Sequence, residues 1–143
     1  MTIANILQSR ESGVISCTAE TSVREAVELL AEKRIGALPV VDGDQVVGIF
    51  SERDVIYGLR DRSTALLDMA VGEVMTSPPV TVSSDTAVMA ALSLMTRRRI
   101  RHLPVVDDDC IVAFISIGDL VKYRVEKIES EAAAMRDYIT GAS

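Results

Sequence analysis

Tryptophan is absent and aromatic residues make up only 3% of the chain, so a large ring cannot anchor its core. Any core must be aliphatic, and the 48% apolar content supplies the Val, Ile, Leu, Ala and Met for it. Histidine occurs once, at position 102, and the two cysteines, Cys17 and Cys110, form no CxxC. A His/Cys metal cluster is therefore not expected, and two reduced, partly buried thiols are the default reading. Basic residues are in deficit, 15 against 21 acidic, giving a net charge of -6. Phosphate backbones need a basic face, so nucleic acid is not the expected partner. No apolar stretch approaches the ~20 residues of a membrane-spanning helix. The N-terminus, Met1-Thr2-Ile3-Ala4-Asn5, lacks the basic start and apolar run of a signal peptide. The expected location is the cytosol.

The chain does contain an internal repeat. A shift of 65 positions lays Ile15–Gly58 over Val80–Tyr123 without a gap. Identical pairs include Thr21/Thr86, Ala26/Ala91, Leu29/Leu94, Arg34/Arg99, Ser51/Ser116 and Asp54/Asp119, and LPVVD occurs in both copies. An earlier match, Ala4–Leu7 with Gly72–Met75, lies at a shift of 68, so the first copy carries three extra residues around Gln8–Gly13.

Each copy reads as β-α-β-β-α. Val14–Cys17 and Val80–Val82 are short extended segments. Val23, Ala26, Val27 and Leu30 have helical spacing, as do Val88, Ala91, Leu92 and Met95. Ser22 with Glu25 is a capping-box pattern, and Asp85 or Thr86 is the expected cap of the second helix. Leu38–Val41 and Val46–Phe50 flank a turn at Asp42-Gly43-Asp44, a hairpin. The second copy repeats it with Leu103–Val106, Asp107-Asp108-Asp109 and Ile111–Ile115. A second helix opens at Ser51–Asp54 or Ser116–Asp119. A unit of this size buries too little surface alone, so the copies should pack together about a pseudo-twofold axis. The divisions are residues 3–58, a linker at 59–70, residues 71–123, and a C-terminal helix extension at 124–143. Val121, Val125, Ile128, Ala132, Met135 and Ile139 alternate at steps of four and three, a stripe suited to a dimer helix or to packing on the chain's own body.

RIGALPVVD…VVGIFSERDV and RIRHLPVVD…IVAFISIGDL together resemble the paired cystathionine-β-synthase (CBS) domain, the Bateman module, as a stand-alone α+β protein. The resemblance covers Ile3–Tyr123. It implies a regulatory, non-catalytic module that binds adenosine compounds between its repeats: AMP, ADP, ATP, NAD(H) or S-adenosylmethionine. It also implies a homodimer and an unidentified protein target. In the first cleft it places the base on Ile15, Ile35, Gly36 and Ala37, beside Pro39, and the ribose on Asp119. The phosphate would face Ser116, the Gly118 backbone, Arg101 and His102. The mirror cleft would use Val80, Thr81 and Ile100 for the base, Asp54 for the ribose, and Ser51 and Arg53 for phosphate.

The residues support part of this unaided. S-x-x-D is a helix capping box, and a helix start presents free N–H groups and a positive dipole to an anion. A carboxylate there can also accept a ribose diol. His102 lacks companions for a metal site or a nucleophile–base set, which makes an enzyme the weakest reading. Arg97-Arg98-Arg99 suits a solvated helix end. Asp107-Asp108-Asp109 lacks the spacing of a calcium loop. A scaffold with vestigial clefts is the competing function.

Overall fold

The computed structural model describes residues 1–10 and 13–141. Glu11 and Ser12, within the extra segment of the first copy, and the last two residues of the C-terminal extension lie outside the described residues. The elements run α1 (Ile3–Leu7), α2 (Val23–Lys33), β1 (Ala37–Asp42), β2 (Gln45–Ser51) and α3 (Glu52–Arg62). They continue with a 3-10 helix (Ser63–Asp68), α4 (Val71–Val74), α5 (Val88–Arg98), β3 (His102–Asp107), β4 (Cys110–Ser116) and α6 (Ile117–Thr140).

Each copy holds one antiparallel hairpin, β1 with β2 and β3 with β4, in matching register: Ala37 opposes Ser51, and His102 opposes Ser116. Both break register once, between Val40 and Val41 and between Val105 and Val106. The turns differ. Asp108 and Asp109 both adopt positive φ, while in the first copy Gly43 takes the left-handed conformation at its turn.

The segments expected as first strands contribute one parallel bridge each. Cys17 donates to the Pro39 carbonyl and accepts from Val41; Val82 does the same with Pro104 and Val106. Upstream of Cys17 the chain leaves the sheet, and Val14 and Ile15 line a cleft instead. The expected connection at 59–70 is built: α3 continues to Arg62, and Leu66 of the 3-10 helix is fully buried.

Two cores result, aliphatic as expected except for the fully buried ring of Phe50 in the first. Val23, Ala26, Leu30, Leu38, Val40, Phe50, Leu66 and Val71 form one. Val88, Ala91, Met95, Leu103, Val105, Ile115 and Leu120 form the other, completed by Ile3 and Ile6. The short leading helices are therefore exchanged: α1 packs on the second core and α4 on the first. Backbone bonds match. Ile3 donates to the Thr86 carbonyl at 2.9 Å and Val71 to that of Thr21 at 2.8 Å. The exchange clamps the repeats together, since neither core closes with its own leading helix. Cys17 is buried in the first core, where desolvation pushes its thiol up to about 11. Cys110 is exposed.

Helix starts show one departure from expectation. Ser22 caps α2, accepting the Glu25 N–H at 3.1 Å. The cap of α5 is Ala87, not Asp85 or Thr86. The Thr86 hydroxyl is occupied one step earlier, taking the Ser83 N–H at 3.1 Å to make a turn. The first free N–H of α5, on Val88, goes to the Met1 carbonyl instead. An Ala87→Ser substitution should supply the missing side-chain acceptor. We expect it to stabilise the fold by about 1 kcal/mol, read as a raised urea midpoint with unchanged slope.

Candidate functional site

The starts of α3 and α6 carry the two S-x-x-D motifs. In α6 the bonds are reciprocal. The Ser116 N–H donates to Asp119 Oδ2 at 2.8 Å, and the Asp119 N–H donates to Ser116 Oγ at 3.1 Å. In α3 the Ser51 N–H donates to Asp54 Oδ2 at 2.9 Å, and the Ser51 hydroxyl also points to that oxygen, at 3.3 Å. Each helix start is tied to the residue before its hairpin. Glu52 donates to the Gly36 carbonyl and Ile117 to that of Arg101. Both carboxylates are thereby fixed at the positive ends of their helices.

Asp119 opens onto a cleft of about 470 Å³ lined by residues from both copies. Its first wall is Ile15, Ile35 and Ala37; its second is His102, Phe114, Ser116 and Asp119. Of the residues expected around a first-cleft ligand, Ile15, Ile35, Ala37, His102, Ser116 and Asp119 are brought together. Gly36, Pro39, Arg101 and Gly118 are not among the lining residues. Pro39 is buried in β1, and Arg101 is exposed. A β-carbon at Gly36 would press on the Glu52 carboxylate and lie 3.6 Å from the His102 ring, so the glycine permits this close approach. Gly118 has only Ser116 Oγ near the equivalent position.

One polar residue in this cleft was missed. Arg10 lines it, with Nη1 3.4 Å from Asp119 Oδ2 and 3.5 Å from the Phe114 carbonyl. It lies in the segment that breaks the repeat, so the first copy's extra residues were the available signal. The pair is partly solvated and contributes little to stability. Its value is positional: it holds a cation beside the helix start. Among the described residues, Asp119 Oδ1 makes no hydrogen bond.

The mirror position is more fully occupied. Asp54 Oδ1 accepts the Thr76 hydroxyl at 3.1 Å while Oδ2 takes Ser51. Arg53 donates to the Arg99 carbonyl at 3.3 Å, at the end of α5. Val80 packs against the second core. Thr81 lines a different hollow with Ser83, Arg97 and Asp109. Val80 and Thr81, both expected around a ligand at Asp54, thus face the second core and a different hollow.

His102 is half-buried and stacks on Phe114, ring centroids 5.5 Å apart at 12°. Burial lowers its pKa, against the pull of Asp119 and Glu52. Burial thus favours the uncharged ring, which keeps one N–H to donate. Among the described residues no group of acids, histidines and cysteines could hold a metal. Among the described residues no helix is long and apolar enough to cross a membrane.

Comparison with known proteins is consistent throughout. The CBS domain family model matches residues 9–61 and 71–126. The chain is 33% identical to the Arabidopsis thaliana mitochondrial CBS domain-containing protein CBSX3, over 98% of this chain and 72% of that one. Some other curated relatives are longer; the chain spans 34% of one from Thermofilum pendens. A solved CBS-domain structure from Agrobacterium tumefaciens has a TM-score of 0.82 at 31% identity, covering 87% of this chain and 99% of its own. One from Burkholderia ambifaria has 0.80 at 39%, covering 88% and 95%. Two similar structures hold ligands. The Pyrobaculum aerophilum CBS protein, 26% identical with a TM-score of 0.73 over 83% of this chain and 89% of its own, is complexed with AMP. The CBS pair of protein MJ0100 is 25% identical, with a TM-score of 0.77 over 89% of this chain and 98% of its own. It is in complex with 5′-methylthioadenosine and S-adenosyl-L-methionine.

The state of His102 sets a pH dependence. A base whose folded pKa lies below its unfolded value of 6.5 leaves stability intact above that value. As pH falls through 6.5 the unfolded chain takes up the proton first, so stability drops, levelling off below the folded pKa. His102→Gln should remove this part of the loss between pH 7.5 and 5, measured by urea unfolding at each pH. An identical pH slope in the variant would contradict the buried neutral ring.

Proposed function

The chain belongs to the CBS domain family, with two copies side by side, and from that premise we propose that it is a regulatory module binding an adenosine-containing ligand at Asp119. The observation that carries the proposal is the state of that carboxylate. It is held by its own helix start, opens onto a cleft large enough for a nucleoside, and among the described residues keeps one oxygen without a hydrogen bond. A ribose diol offers two O–H donors to such an acid. Ile15, Ile35 and Ala37 supply an apolar slot for the base, and Phe114 with His102 a stacked pair of rings nearby. The AMP-bound and S-adenosyl-L-methionine-bound relatives support an adenosyl group as the common element.

Phosphate recognition falls to Ser116, the free N–H groups of α6 and Arg10. On binding, Arg10 turns from Asp119 toward the phosphate, leaving the acid to the sugar. AMP, ADP and ATP fit this arrangement best; NAD(H) would extend its second half toward the mirror position at Asp54. The module acts on a protein target, in the cytosol, without chemistry of its own.

Calorimetric titration with AMP, ATP, NADH and S-adenosylmethionine tests the reading, and at least one should bind. With AMP as ligand, 2′-deoxy-AMP should bind roughly 10-fold to 100-fold more weakly, because the carboxylate loses a charged hydrogen bond. Heat from none of the four, or equal affinity for the deoxy compound, would remove the diol assignment. Arg10→Gln should weaken AMP at least severalfold while leaving adenosine unchanged. Equal loss for both ligands would show that Arg10 does not face the phosphate.

A further inference from the structure

Helix α6 extends far beyond the body it belongs to. Its 24 residues span about 36 Å, and its only fully buried residue, Leu120, lies in the first turn. Beyond Arg124 every side chain is exposed except Ala133. Most helical stability in a folded protein comes from packing of an apolar face. The apolar stripe nevertheless stays uncovered: Val121 is 47% exposed, Val125 46%, Ile128 48%, Met135 59% and Ile139 74%.

The stripe is a coiled-coil seam of about three heptads. Val125, Ala132 and Ile139 occupy a positions, and Val121, Ile128 and Met135 occupy d positions. The flanking residues choose the partner. Lys122, Glu129 and Arg136 fall at e; Arg124, Glu131 and Tyr138 fall at g. In a parallel, in-register pair each g faces the e of the following heptad on the other helix. Arg124 then meets Glu129 of the second copy, and Glu131 meets Arg136, twice each by symmetry. A fully overlapped antiparallel pair sets Glu129 near Glu129, Glu131 near Glu131 and Lys122 near Arg136, all repulsive. Sliding by a heptad relieves this only by taking two seam residues off the partner.

We infer that α6 is a parallel, in-register docking surface for a second copy of this chain. This fixes the orientation of the proposed homodimer and rests on the helix alone, so it stands or falls separately from nucleotide binding. Because α6 begins at Ser116 and Asp119, the same rigid element joins the ligand site to the seam.

The test uses the whole chain in a Cys110→Ser background. Val121→Cys and Met135→Cys are placed near opposite ends of the seam. Both should form self-crosslinked dimers under mild oxidation, since each faces itself only in the parallel register. Sedimentation equilibrium should show a dimer that weakens about tenfold with Glu129→Lys and recovers with Arg124→Glu added. Cys110, Val121, Glu129 and Met135 are exposed and Arg124 is half-buried, and circular dichroism checks that the body stays folded. A monomer at every concentration, crosslinking at neither position, or a dimer indifferent to the charge exchange would overturn the inference.

Discussion

The first turn of a helix leaves N–H groups without partners, and this chain answers that need twice with an acid three residues after a serine. The bond from the serine N–H to the acid fixes where the carboxylate points. It also commits part of that carboxylate to the fold. Whatever remains uncommitted is available to a ligand. Site geometry here is therefore the residue of a structural bond, and function depends on how many further protein groups compete for the same two oxygens.

The duplicated halves resolve that competition differently. Around Asp54 the competitor is Thr76, just after α4, and both oxygens are engaged. Around Asp119 the competitor is Arg10, just after α1. These two segments occupy equivalent places because the leading helices are exchanged between cores. A hydroxyl and a guanidinium at matching places have different consequences. The hydroxyl closes an acid off, whereas the guanidinium pairs with it directly at a partly solvated position and stays free to turn toward an anion. The extra residues of the first copy thus separate two sites that an exact duplication would have made alike.

Much of this was legible before any coordinates. The shift of 65 located both hairpins, both S-x-x-D starts and the helical segments, because period-two and helical patterns are dictated by burial. Ile15, Ile35, Ala37, His102, Ser116 and Asp119 were all assigned to one cleft through the family resemblance, and the structure gathers them there. What escaped had non-local causes. Arg10 reaches Asp119 across 109 positions, and no pattern announces such a pair. The stacking of His102 escaped because nothing adjacent in sequence reveals the Phe114 ring against it. The exchange of α1 and α4 escaped because a repeat comparison aligns segments without saying which core each will join. Thr86 was the natural cap by composition, but its hydroxyl serves an earlier turn.

The central claim is that the two acids are unequal, with Asp119 the ligand acceptor. It is tested most directly by counting AMP bound per chain at saturation in Asp119→Asn and Asp54→Asn variants, each checked for native unfolding. Asp54→Asn should keep the tight site at full occupancy, and Asp119→Asn should lose it. Retention of tight binding in Asp119→Asn, with loss in Asp54→Asn, would contradict it.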